Sequence, residues 1–467
     1  MRDKSIKYLN FYESLTIIVF ILNNHKINLL IVLPFKMKIK NQQSDEFFSK
    51  YLSTTFEIGE PPQNIEADIN FQESDFHLTY TRKYIPLLYN KTKSNTYINT
   101  TLYRITTKNF ISGCRANETF FFYNDENLKN KQKYMNVPFF MSTNMDKLFA
   151  AILGFELNGM GARGFVGNLK YGRAINSYTW TLKYNNIEEG LLIIGEEPHI
   201  YNNTYDENKL KYTKLYMYKN LFSWSISFEN IIIGELINRK NIISLIRPDI
   251  KGLIAPKEYL ENIKAIYLDK YLNENICKIN EIYEKNISNN DYDYNDDQKM
   301  KFYKIECDKT KFSINDINNF LILKFVNIPL NYSFLFNGKD LFIENYAKYI
   351  FQIYFGDIKY WYFGSLFLYK YQLIFNEDNK LIGFYTGMKK EKISDKNDYI
   401  FKIILIIIFL IFGLFIFFVL FKEIRLLNRN KKYAKELEED FSYKKNDMIR
   451  EIKNLKNDDN YLFKKND

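Results

Sequence analysis

The stretch FEIGEPPQNIEADINFQESDFHL, residues 56–78, leaves its backbone few choices. An apolar run ends at Gly59. Pro61-Pro62 then fixes a turn, because proline locks φ and has no N–H to give to a ladder. A second strand-like run follows, and after it a polar, turn-prone loop from Asn70 to Asp75. Strand, tight turn, strand and loop in that order make a hairpin, so the chain around it is committed to sheet. Composition agrees: 46% of the residues are hydrophobic and 18% aromatic, with strand-favouring Ile, Tyr and Phe outweighing Ala. The 467 residues leave room for two or three domains of roughly 100–200 residues each.

A second feature limits where that sheet ends. Residues 403–421, IILIIIFLIFGLFIFFVLF, carry no charge and lie between Lys402 and Lys422. A helix rising 1.5 Å per residue needs about 20 apolar residues for a hydrocarbon core of ~30 Å, so 400–421 reads as a transmembrane helix. KEIRLLNRNKK follows at once, and the positive-inside rule places 422–467 in the cytosol as a basic tail, either an amphipathic helix against acidic lipid or solvated chain. At the other end a basic start, MRDKSIK, precedes two short apolar runs, 14–22 and 27–35. The first has the length of a signal-peptide core. Residues 1–46 are read as a signal peptide or signal anchor with its leader; the other reading of the two runs is a buried pair of strands. The intervening chain, 47–389, then lies in the lumen or outside the cell, on a membrane of the secretory pathway.

Several chemistries are excluded. The three cysteines, Cys114, Cys277 and Cys307, form no C-x-x-C pair, and the three histidines are scattered, so neither a zinc site nor another metal centre is expected. There is no visible Ser-His triad and no motif calling for a cofactor. The net charge of +10 forms no compact basic module, so no nucleic-acid partner is expected.

The motifs then accumulate in an order. Ile58, Gly59, Pro61, Pro62, Gln63 and Asn64 precede Ser74, Asp75 and Phe76. Ser112, Gly113, Glu118 and Thr119 follow, then Ile152-Leu153-Gly154, Gly190 and Gly195. WSISFENIIIG occupies 224–234, Leu253, Ile254 and Pro256 come after it, and Trp361, Gly364, Phe367, Leu368, Tyr371, Phe375, Asn379, Ile382, Gly383 and Phe384 close the series. This order resembles that of the pepsin-family (A1) aspartic proteases over about residues 47–389, and with the membrane segment the architecture is similar to that of membrane-anchored plasmepsin-type enzymes. The resemblance implies a mostly β, two-lobed pepsin-like fold with a C-terminal transmembrane helix, an N-terminal lobe over 47–205 and a C-terminal lobe over 206–389. It also implies a disulfide between Cys277 and Cys307, with Cys114 free.

The same resemblance shows what is missing. The first Asp-Thr-Gly falls on Asn70, Phe71 and Gln72. The second falls on Arg247 or, with a short deletion, on Asp249. The flap tyrosine falls on Thr106, ahead of the retained Gly113. Aspartic proteases need two carboxylates sharing one proton; asparagine cannot ionise, and an arginine puts a cation where the second acid belongs. The expectation is a catalytically inactive relative that binds a peptide or protein in the cleft between the lobes. The alternatives are a divergent active endopeptidase using a displaced Asp68–Asp249 pair, Asp68 sharing a strand face with Asn70, and a purely structural membrane component.

Overall fold

The structure, a computed structural model, describes residues 30–39, 50–73, 75–79, 89–101, 105–106, 112–142, 150–157, 164–218, 221–285, 299–387 and 396–462. The chain divides into two units, residues 1–389 and 390–467. The first is mostly β: its described strands gather into one sheet of 14 strands, one of 11 and a small pair.

The first sheet is built around the hairpin of Lys50–Ile58 and Gln63–Asn70, in register from Leu52 opposite Ile69 to Ile58 opposite Gln63. Gly59 supplies the positive φ of +85° at its turn, which a side chain would resist. Ile31–Ile39 lies between this hairpin and Glu189–Ile194, pairing antiparallel with both. The expectation that residues up to 46 form a leader is corrected here for 31–39. Ile31, Val32, Leu33 and Phe35 are buried, because the strand is covered on both faces. Such a strand reads as one continuous apolar run, the pattern a signal core also shows. The run 14–22 lies outside the described residues.

The second sheet takes its strands from Ser225–Ile233 to Trp361–Phe363. The expected boundary at 205/206 does not separate the sheets. Leu210–Lys214, Leu373–Asn376 and Leu381–Tyr385 return to the first one, with Thr179 opposite Asn376 and Leu210 opposite Tyr385. Aromatic packing ties these strands down. Trp180 stacks on Phe375 at 3.8 Å between centroids, and Trp224 packs edge-on to both while its Nε1–H donates to the Phe155 carbonyl at 2.7 Å.

Cys277 stands directly opposite Cys307 on the paired strands Cys277–Lys285 and Lys299–Asp308, and the two are disulfide-bonded. Cys114 is free and half-buried.

In the second unit the backbone of Lys396–Leu462 is one helix of 67 residues. The run 403–421 falls within it. The side chains of 403–412, 414 and 415 lie outside the described residues, so the transmembrane expectation does too. Among the described residues no helix is long and apolar enough to cross a membrane.

Candidate functional site

The candidate acids lie on two strand–loop–strand units, and the backbone builds them alike. In the first sheet, Gln63–Asn70 leads into the loop, Phe76–Thr79 leaves it, and Ala151–Gly154 lies between the two, parallel to the first and antiparallel to the second. In the second sheet, Leu236–Ile246 leads in, Leu253–Pro256 leaves, and Trp361–Phe363 lies between them in the same sense.

The register fixes the correspondence. Phe76 faces Leu153 as Leu253 faces Phe363, and Asn70 faces Gly154. A Cβ on Gly154 would strike Asp75 O at 2.5 Å and Glu73 O at 2.7 Å; one on Gly364 would strike Gly252 O at 2.3 Å and Ile250 O at 2.2 Å. Thus Glu73 corresponds to Ile250 and Asp75 to Gly252 with no insertion. By the same step Asn70 corresponds to Arg247, Gln72 to Asp249, and Asp68 to Leu245. Of Arg247 and Asp249, the one equivalent to Asn70 in the repeat is Arg247.

Asn70 is placed by this geometry. Its Oδ1 accepts the N–H groups of Gln72 at 2.9 Å and Glu73 at 3.1 Å, which shapes the loop as an Asx turn. Its Nδ2 donates to Asp68 Oδ2 at 3.1 Å, and Asp68 is buried. In the second loop Arg247 grips Asp249 with two hydrogen bonds, Nε to Oδ1 at 2.9 Å and Nη2 to Oδ2 at 2.7 Å, a bidentate charge-assisted pair. Burial pulls the Arg247 guanidinium down, and the Asp249 carboxylate more than offsets it, so the net shift is upward. Burial, with the Asp249 charge adding to it, holds the Tyr184 hydroxyl far above its ordinary range.

The described parts of the two loops therefore contain no matched carboxylate pair. Asp68 sits on a strand before its loop and bonds an amide; Asp249 sits inside the other loop and bonds a cation. Thr106 lies in the short strand Ile105–Thr106, opposite Ser112, and Gly113 pairs with Ile105 and Ser142. The turn expected for the flap, 107–111, lies outside the described residues. Gly113 is required sterically, since a Cβ there would meet Met141 O at 2.1 Å. Among the described residues no group of His, Cys, Asp and Glu could hold a metal ion.

The fold has a counterpart among solved structures. The chain is similar to the crystal structure of Basic 7S globulin from soybean, with a TM-score of 0.50 and 11% identity over 77% of this chain and 97% of that one. At that identity the likeness concerns the fold alone. No protein-family model matches the chain, and no curated protein does.

Two features beside the loops were not foreseen from the sequence. Lys50, 5% exposed, and Lys251 both reach Glu188 Oε1, at 3.1 and 2.8 Å, so the second-sheet loop is tied to the 186–189 hairpin of the first sheet. Residues so far apart in sequence leave no spacing signal. The other is a pocket of about 570 Å³ lined by Asn241, Lys257, Tyr259, Asp357, Tyr360 and Trp361 among others. On the strand that leads to Arg247 it is lined by Asn241, Ile242 and Ile243, the nearest of them four residues before Arg247, roughly 13 Å at strand rise, and none of its lining residues lies in 70–75 or 247–252. It is thus separate from the acid loops.

Proposed function

We propose that this chain is a catalytically inactive pepsin-like protein: two lobes over the β unit, anchored by one helix at 400–421, with the domain luminal or extracellular, the tail cytosolic, and the cleft retained to bind a peptide or protein. The observation that carries the reading is the matched pair of loops with Asn70 and Arg247 at equivalent places. A shared-proton mechanism needs two acids there, held so close that both cannot ionise at once. Here one place is an amide that cannot ionise and the other a cation already engaged by Asp249. The order of family motifs along 47–389, the repeated loop, the likeness in fold to a solved β protein and the charge-free run 403–421 support the rest.

The second reading, an endopeptidase using Asp68 and Asp249, has the burial of Asp68 in its favour. Against it, the two acids are not equivalent in the repeat, and both carboxylate oxygens of Asp249 are held by Arg247. The test is to incubate the purified full-length chain in detergent with unfolded protein and mixed peptides between about pH 3 and 7, where a carboxylate pair could work. No cleavage is expected, and Asn70→Asp should not restore any, because a catalytic unit missing several members gains little from one. A peptide pool should raise the melting temperature of the β unit. Cleavage abolished by Asp68→Ala or Asp249→Ala would refute inactivity; neither cleavage nor peptide stabilisation would refute the binding role.

A further inference from the structure

The helix beyond the apolar run repeats every seven residues. Leu420, Leu427, Ala434, Phe441, Met448, Leu455 and Leu462 are each seven apart without interruption, with Ile424, Leu437 and Ile452 within one turn of that line. The stripe is open to solvent: Leu427 is 56% exposed, Phe441 71% and Met448 61%. From 422 to 462 the helix would run ~60 Å, and a helix of mixed charge gains its stability from an apolar face that packs on something.

The period decides between possible occupants. A straight helix has 3.6 residues per turn, so a strict seven-residue stripe drifts ~20° per repeat, or about 120° over the six repeats from 420 to 462. A flat bilayer surface cannot follow that rotation. A second helix winding left-handedly can. Charge points the same way. The first turns are basic, through Lys422, Arg425, Arg429, Lys431, Lys432 and Lys435, but Glu436, Glu438, Glu439 and Asp440 follow, and an anionic lipid surface would repel them. Across a parallel pair, the residue just before Phe441, Asp440, meets the residue four after it, Lys445, from the other copy, and the charges are complementary.

We propose that residues 422–462 pair with the same segment of a second copy of this chain in a parallel coiled coil. The parallel sense rests on the membrane reading above, since two helices leaving one bilayer run side by side; the seven-residue stripe does not depend on it. The second row that would face the partner, three residues after each member of the stripe, is Glu423, Asn430, Leu437, Lys444, Glu451 and Asp458; its five polar residues keep the pair weak, so anchoring in a common membrane raises the effective concentration that it needs.

The test uses the full chain in proteoliposomes with Cys114→Ser as background. Ala434→Cys, on the stripe, should give mostly oxidatively cross-linked dimer, and Lys432→Cys, on the opposite face, only a trace. Asp440→Lys should reduce the dimer at position 434, and adding Lys445→Asp should restore it. Equal cross-linking at 432 and 434 indicates chance collision and overturns the proposal, as does the absence of cross-linked dimer at 434 in the proteoliposomes. A dimeric mass without 434–434 cross-links indicates an antiparallel pair and overturns the parallel one. Alkaline carbonate extraction separates the two questions: release of the chain from the membrane removes the anchor reading, whatever happens at 434.

Discussion

At Asn70 the side-chain oxygen takes two backbone N–H groups and the side-chain nitrogen gives one bond to Asp68. A carboxylate could fill the first role but not the second. Asn70→Asp would set two carboxylates side by side, so one of them would titrate above its unfolded value. A raised folded pKa means stability kept below the ordinary carboxylate range and lost as pH rises through the new value. The variant should therefore match the parent near pH 3 and melt lower at pH 7, by about 1–3 kcal/mol; an equal deficit at both would refute this. Glu118 is buried and accepts from Tyr89, Thr96 and the Thr119 N–H, the last at 2.7 Å. Glu118→Ala strands those donors and should cost of the order of 3 kcal/mol in denaturant unfolding, with Glu118→Gln milder. Glu188 has the opposite sign to the Asn70→Asp case. Burial raises its pKa, but Lys251 and Lys50 outweigh that and hold it below the ordinary 4.5. Its contribution is complete above that value and fades as pH falls through the lowered one. Glu188→Gln should thus melt lower than the parent at pH 7, by about 1 kcal/mol because the carboxylate is half in solvent, and the gap should close in acid.

At the scale of the element, each loop depends on the glycine that ends the strand beside it. Gly364 lets three backbone segments meet, with Gly364 N–H donating to Gly252 O at 3.0 Å and Ser365 N–H to Ile250 O at 2.7 Å. Gly364→Ala leaves no room for a Cβ and should cost about 3 kcal/mol by thermal unfolding; a loss under a tenth of that would show that the loop gives way. Much of this was legible beforehand. Pro61-Pro62, Ile152-Leu153-Gly154 and Gly364 mark turns and close approaches that few residues tolerate, so residue type alone points to them. Ile31–Ile39 was misread because a strand buried on both faces and a membrane-directed segment share one signal, continuous hydrophobicity.

For the whole molecule the membrane reading makes a single prediction. With the chain in sealed microsomes, protease added outside should remove a tag placed after residue 467 and spare the β unit. Loss of the β unit with the C-terminal tag protected would reverse the orientation, and loss of both would remove the membrane barrier. The β unit should also unfold in one step, since the first sheet receives its last strands from beyond the second, and Trp180, Phe375 and Trp224 pack together where they return.

Local chemistry accounts for what could be read directly from the residues: sheet from branched and aromatic runs, turns from glycine and proline, and at Asn70 a side chain that cannot ionise. Those depend on residue type and near spacing alone. Pairing over distance is a different matter. That Arg247 rather than Asp249 stands opposite Asn70 in the repeat was undecided by spacing, since a short deletion would have served as well; the contacts of Gly154 and Gly364 decided it. That Arg247 cancels Asp249, and that Lys50 and Lys251 converge on Glu188, follows from side chains brought together by strands far apart in the chain, and no local pattern encodes where such strands meet.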